Sequence, residues 1–143
     1  MEIERKFLIK EVPADIESYP SYEIEQGYLC RKPVVRVRRG GEKYTLTYKG
    51  GGMMAREEYN LPLDADSYKH LITKADGTVI RKRRYLLAYG DYTIELDHFE
   101  CPREGLWLAE VEFESVEEAM AFDPPQWFGD DVTQNPEYHN SSM

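Results

Sequence analysis

Apolar and polar positions alternate with a period of two over most of the chain, which predicts strands rather than helices. The runs cover about residues 1–9, 22–29, 33–39, 43–49, 55–62, 79–89, 92–99 and 106–114. Glycine and proline punctuate them at short intervals. Arg39-Gly40-Gly41-Glu42 and Tyr89-Gly90-Asp91-Tyr92 have the form of hairpin turns. Helical spacing replaces alternation twice. Over 64–75, Ala65, Tyr68, Leu71, Ile72 and Ala75 share one face, with Asp64 or Asp66 placed to cap the start. Ser115-Val-Glu-Glu118 has the form of a capping box that opens a short helix through about Phe122, ended by Pro124-Pro125. From Gln126 onward the pattern predicts a short turn around Trp127 and Phe128, then a mostly polar tail in which Tyr138 is the candidate anchor. The expectation is an α+β protein, mainly β, with the whole of 1–143 as one domain.

Residues i, i+2 and i+4 of a strand share a face. Sorted in this way, the first run places Glu2, Glu4 and Lys6 opposite Ile3, Arg5, Phe7 and Ile9. Arg36 and Arg38 oppose Val35 and Val37. Lys43, Thr45, Thr47 and Lys49 oppose Tyr44, Leu46 and Tyr48. Arg56, Glu58 and Asn60 form a further polar set, as do Lys82 with Arg84, Thr93 with Glu95 and Asp97, and Glu110 with Glu112 and Glu114. Alternation alone fits an antiparallel sheet with one wet polar face and one buried apolar face. Three features favour an enclosed charged face instead. The polar faces carry blocks of one sign, whereas a solvating face mixes signs. Glu-x-Glu occurs in both the first and the last strand, which sets two carboxylates roughly 7 Å apart on one face, a spacing suited to hard divalent cations. Eight strands with little helix are also enough to close a barrel.

Composition narrows the picture. The chain has 143 residues, 41% hydrophobic and 31% charged, which fits a folded domain rather than a disordered segment. No apolar run approaches the roughly 20 residues of a membrane span, and the charged start Met-Glu-Ile-Glu-Arg-Lys does not read as a secretion signal. Two cysteines, Cys30 and Cys101, support neither a disulfide framework nor a cysteine-rich zinc site. A cytoplasmic protein is therefore expected. The net charge of −9, from 27 acids and 18 bases, argues against non-specific nucleic-acid binding. It does not exclude an anionic ligand, because a cleft focuses its own charges. Lys6, Arg36, Arg38, Lys49, Lys82 and Arg84 on the selected faces suit a polyphosphate, since guanidinium forks match phosphate oxygens. Carboxylates on the same faces would repel phosphate unless a divalent metal lay between.

Glu2-Ile-Glu4-Arg-Lys6 resembles the Glu-x-Glu-x-Lys signature of the CYTH superfamily, the triphosphate tunnel metalloenzymes. Further blocks follow in the family's order: Gln26-Gly-Tyr-Leu29, Val35-Arg-Val-Arg38, Leu46-Thr-Tyr-Lys-Gly50, Lys82-Arg-Arg84-Tyr85, Ile94-Glu-Leu-Asp97 and Leu108-Ala-Glu-Val-Glu112. The end, Trp127-Phe-Gly-Asp-Asp-Val-Thr133 and Tyr138-His-Asn-Ser141, is similar to the short bacterial members.

The resemblance implies an eight-stranded antiparallel β-barrel, an open tunnel with a charged interior and a few peripheral helices. It implies substrate binding by Lys6, Arg36, Arg38, Lys49, Arg56, Lys82 and Arg84. Metal binding falls to Glu2, Glu4, Glu110 and Glu112, with Glu58 and Glu95 as supporting acids. Glu2, Glu4, Lys6, Arg84 and Glu112 form the implied catalytic set. The implied cofactor is Mg²⁺ or Mn²⁺, and the partner is a small-molecule triphosphate, with no nucleic acid and no membrane. Asn60 departs from the family's fifth strand, where a second glutamate is common.

The implied activity is hydrolysis of inorganic triphosphate, with nucleoside triphosphates as further substrates. Class IV adenylyl cyclase, thiamine triphosphatase and a non-catalytic polyphosphate-binding module are the alternatives. Arg5, Arg39, Arg81 and Arg83 fall off the charged face and are expected in solvent. His70, His98 and His139 lack ligand spacing, and both cysteines are expected to pack.

Overall fold

The computed structural model describes Met1–Met143. Its strands are β1 Glu2–Ile9, β2 Ser21–Arg31, β3 Val34–Gly40, β4 Lys43–Lys49, β5 Ala55–Arg56, β6 Glu58–Leu63, β7 Asp76–Tyr89, β8 Tyr92–Cys101, β9 Trp107–Glu112 and β10 Phe128–Asp131. Two helices interrupt them, α1 Ala65–Ile72 and α2 Val116–Ala121. All pairings are antiparallel, in the order β10-β1-β9-β8-β7-β2-β3-β4-β6. The mainly β class expected from alternation is what forms.

Two details differ from the expected eight-stranded barrel. The residues expected to form only a turn after Gln126 include a strand, β10, which adds to β1. The run 55–62 divides at Glu57: β6 stays on β4, with Lys49 opposite Glu58, while β5 crosses to β1. Only two residue pairs make that crossing, Glu2 with Arg56 and Ile3 with Ala55, so the ladder is not continuously closed. The physical reason is that one strand serves two neighbours in turn. Its backbone groups bond β4 at one end and β1 at the other, and the break lies between.

The helices cover the outside. Asp64 caps α1 by accepting from the Ser67 amide at 2.7 Å, and Tyr68 is buried with its hydroxyl donating to Glu25 at 2.8 Å. The helix ends at Ile72, a turn earlier than the apolar spacing predicts, yet Ala75 still packs inward. A Cβ on Gly27 of β2 would stand 2.7 Å from the Ala75 Cβ and 2.9 Å from Ile72, so glycine is what admits this end of α1. At α2 the Ser115 hydroxyl accepts from the Glu118 amide at 3.1 Å, as expected. The Glu118 carboxylate reaches the Glu114 amide, not that of Ser115, so the box is displaced by one residue.

Apolar residues gather in two clusters, the second of which reaches the charged cavity through Tyr28 and Val34. One joins Phe7, Leu96, Val111, Phe113, Phe122 and Phe128 with Ala119 of α2. The other joins Tyr28, Val34, Ile80, Phe99, Leu108 and Val132. Arg5, expected in solvent, is instead folded over the first cluster. Its guanidinium lies 4.9 Å from the Phe7 ring centre, pairs with Asp131 at 2.9 Å and donates to the Ala119 carbonyl at 2.8 Å. It thereby caps the C-terminal end of α2, where cations are favoured.

The tail is more than a polar fringe. Thr133 accepts from the Lys6 amide at 2.9 Å, and His139 Nε2 donates to the Thr133 carbonyl at 2.8 Å. Two 3₁₀ turns, Pro136–Tyr138 and Asn140–Ser142, then lay Asn140 into the interior. No helix is long and apolar enough to cross a membrane.

Candidate active site

The charged faces converge on a cavity of about 200 Å³. β1 contributes Glu2, Glu4 and Lys6; β3 contributes Arg36 and Arg38; β4 contributes Lys49. Arg56, Glu58, Asn60, Arg84, Glu95, Glu110 and Glu112 complete the charged and amide lining. Period-two geometry puts these side chains inward, and the ladder register decides which of them meet. Lys6 stands opposite Glu110, Arg84 opposite Asp97, and Glu4 opposite Glu112.

Part of the charge is internally paired. Lys49 Nζ lies 2.9 Å from Glu2 and 3.5 Å from Glu58, and Lys6 Nζ lies 3.4 Å from Glu110. Arg84 holds Asp97 through two bonds at 2.8 and 2.9 Å and Glu95 at 2.9 Å, with Glu110 at 3.6 Å. Burial opposes the Lys6 ammonium, but the nearby Glu110 and Glu4 outweigh it and raise its pKa. Burial likewise opposes the Glu110 carboxylate, which Lys6 and Arg84 hold well below the usual carboxylate range.

The remainder is unpaired, with both signs present. Arg36 and Arg38 make no ion pair. Arg36 donates to the Thr47 hydroxyl at 3.3 Å and Arg38 to the Gln26 carbonyl oxygen at 2.6 Å. The Nε of Arg36 is buried without any partner. Burial, then the neighbouring Arg36 and Arg84, push Arg38 down to about 10. On β1 and β9, Glu4 and Glu112 have neither a cation nor a hydrogen-bond donor at their carboxylates. Burial, then Glu110 and Glu2, raise Glu4 to about 7. Burial, then Glu58, Glu95 and Glu4, raise Glu112. An anion against the arginines and a cation against the glutamates would each relieve repulsion now present.

The donor chemistry fits a hard divalent cation, since Glu2, Glu4, Glu110 and Glu112 all offer oxygen. No three acidic, histidine or cysteine side chains form a ready-made cage, and Lys49 engages Glu2 while Lys6 engages Glu110. Such a set suits an ion that takes its remaining ligands from phosphate and water, as magnesium commonly does.

Of the residues singled out from sequence, only Lys82 does not line the cavity. It is 1% exposed, with Nζ 2.7 Å from Asp97 and 5.1 Å from the Phe99 ring centre. Parity puts Lys82 on the face of Arg84, but a register irregularity beside Arg81 and the tail residue Asn140, 3.4 Å away, enclose it. Sequence reading assigned no role to Asp97, which anchors both Lys82 and Arg84, or to Gln26 and Thr47, which orient the free arginines. Sorting β2 by parity would have found Gln26 and Tyr28 as an inward pair. Asn140 and Ser141 reach the lining from the tail, which carries no periodic signal. Asn60 accepts from the Thr47 hydroxyl at 2.6 Å and donates to Glu58 at 3.1 Å.

Three arginines stay outside as expected. Arg81 pairs with Glu25 at 3.2 Å and Arg83 with Glu23 at 3.4 Å, while Arg39 reaches the Gly41 carbonyl. His98 stacks on Trp107 with ring centres 4.0 Å apart, and both cysteines are free thiols.

The sequence matches the CYTH domain profile over residues 1–139. It is 36% identical to an inorganic triphosphatase of Nitrosomonas europaea over 147 residues, covering 99% of this chain and 95% of the relative. It is 33% identical to an inorganic triphosphatase of Acetivibrio thermocellus over 151 residues, covering 99% and 92%. The fold is similar to the crystal structure of the inorganic triphosphatase NE1496, with a TM-score of 0.72, 34% identity and coverage of 99% and 93%.

Proposed function

Since the chain belongs to the CYTH family, we propose that it hydrolyses inorganic triphosphate in the charged cavity with the help of a divalent cation, Mg²⁺ or Mn²⁺. The observation that carries this reading is unpaired charge of both signs in one cavity: Arg36 and Arg38 of β3 without counterions, Glu4 of β1 and Glu112 of β9 without cations. A phosphoanion with a bound divalent cation meets both needs at once. The two relatives named inorganic triphosphatase support the substrate class.

Arg36 and Arg38 bind phosphate oxygens, held in place by Thr47 and Gln26. Lys49, Lys6 and Arg56 add charge along the substrate. Arg84, fixed by Asp97 and Glu95, presents a guanidinium whose position does not change as charge builds on the transferred phosphoryl group. Glu2, Glu4, Glu110 and Glu112 are the residues that would hold the divalent ion, which supplies charge neutralisation and acidifies a water. One of these carboxylates accepts the proton of the attacking water. Lys82 supports Asp97 from beneath and does not touch substrate. The reaction is phosphoryl transfer to water, in which positioning and electrostatics do most of the catalysis.

The test is a substrate panel with Mg²⁺ and with Mn²⁺, scored by product. Orthophosphate released fastest from triphosphate is the expected result. Cyclic AMP and pyrophosphate from ATP would replace this reading with a cyclase, and faster release from thiamine triphosphate would change the substrate. Tight triphosphate binding with no turnover under either metal would make the protein a binding module.

A further inference from the structure

The central cavity shares lining residues with three others, and two of these are of opposite character. On one side, sharing Glu95 and Glu112 with it, lies a cavity of about 610 Å³ whose other charged residues are Asp91, Glu114 and Glu118. No basic side chain lines that mouth. On the other side, sharing Val34, Arg56 and Ser141, lies a cavity of about 260 Å³. Its charged lining is Arg31, Lys32 and Arg56, and no carboxylate side chain faces it.

The cations of this second mouth are poorly neutralised. Arg31 donates to the Asp76 carbonyl at 2.9 Å and lies over the Tyr28 ring at 5.4 Å, yet forms no ion pair. Its other terminal nitrogen is buried without a partner. Lys32 is exposed and unpaired. Arg56 has only Glu2, at 3.7 Å. Ser141 and Ser142 bring hydroxyls that bond nothing else, and the Gly50–Gly52 loop leaves room beside them. In a protein of net charge −9, a mouth with three cations and no acid is a marked local reversal.

We propose that this basic mouth is a second phosphate subsite, holding a phosphate group beyond those in the central cavity. The inference rests on the reading of the central cavity as a triphosphate site. Arg56 borders both cavities, so a phosphate chain crossing between them stays beside a cation throughout. The acidic mouth repels such a chain, so the chain does not leave past Glu95 and Glu112. The group held is either the outer phosphate of a linear polyphosphate longer than triphosphate or a separate orthophosphate ion.

Lys32→Glu tests this, because Lys32 is exposed and its loss leaves the core alone. Lys69→Glu on α1 makes the same charge change on the outer surface. Each variant and the parent protein are titrated calorimetrically in excess chelator with triphosphate, linear tetraphosphate and pentaphosphate, and orthophosphate. If the subsite extends the chain, Lys32→Glu weakens the two longer chains by about tenfold and triphosphate by less than about twofold. If it holds a separate ion, the longer chains behave as triphosphate does and only orthophosphate binding is lost in Lys32→Glu. Identical affinities in Lys32→Glu and Lys69→Glu for every ligand would overturn the subsite. Failure of the triphosphatase reading is seen separately, as absence of triphosphate turnover by the parent protein with metal, and does not alter the titration.

Discussion

Glu4 on β1 and Glu112 on β9 stand directly opposite each other in the ladder, and neither carboxylate has a cationic partner. Like charges opposed across strands destabilise a sheet. Burial and neighbouring acids raise the pKa of both groups. A divalent cation removes the conflict. Glu112→Gln keeps the size and takes away one ligand charge, so triphosphate turnover should fall at least about 100-fold with the melting temperature unchanged or raised. Excess chelator should abolish turnover in the parent protein. Full activity under chelator would exclude the metal role.

The same repulsion sets a pH dependence in the metal-free protein. Glu4 has a folded pKa near 7, above its unfolded value, so the folded state binds the proton more tightly. Its contribution is therefore most favourable below the ordinary carboxylate range. It is lost as pH rises to about 7, to the extent of about 3 kcal/mol. Thermal melts in chelator should show the parent protein weakening over this window relative to Glu4→Gln. Parallel melting curves for the two proteins would show that Glu4 ionises without penalty.

Arg83 and Arg84 are neighbours in β7 with opposite surroundings. Arg83 faces out to Glu23 and Ser21, and Arg84 faces in to Asp97 and Glu95. Arg83→Ala should change stability by less than about 0.5 kcal/mol and leave kcat/KM near that of the parent. Arg84→Ala breaks a buried ion pair and should cost about 3–5 kcal/mol in stability. Arg84→Lys separates the roles: it keeps the charge but not the fork, so the protein should fold while kcat/KM drops at least about tenfold. Equal kinetic losses at Arg83 and Arg84 would mean that β7 presents its other face to substrate.

The Asn60 amide joins Thr47 to Glu58. Asn60→Asp keeps the acceptor for Thr47 but replaces the donor to Glu58 with a second negative charge. The variant should need less metal for half-maximal activity and lose stability in chelator by about 1 kcal/mol. A metal titration identical to that of the parent would place this residue outside the ion's reach.

Alternation along the chain determined the strands, their inward faces and nearly all of the charged lining, because a strand sends successive side chains to opposite sides whatever its neighbours. Capping residues fixed where both helices begin, since Asp64 and Ser115 satisfy backbone amides within three residues of themselves. What needed the tertiary structure was everything set by distant contact. Lys82 and Arg84 share a face in sequence, but Asp97 and Asn140 draw Lys82 out of the cavity and leave Arg84 in it. Arg5 reads as a solvated surface charge, until β10 and α2 bring Asp131 and the Ala119 carbonyl to it across more than a hundred residues. The division of β5 from β6 at Glu57 has no local signal, because it arises from competition between β4 and β1 for one strand. Parity is a property of each strand alone, whereas pairing, depth and neutralisation depend on which strands lie beside it.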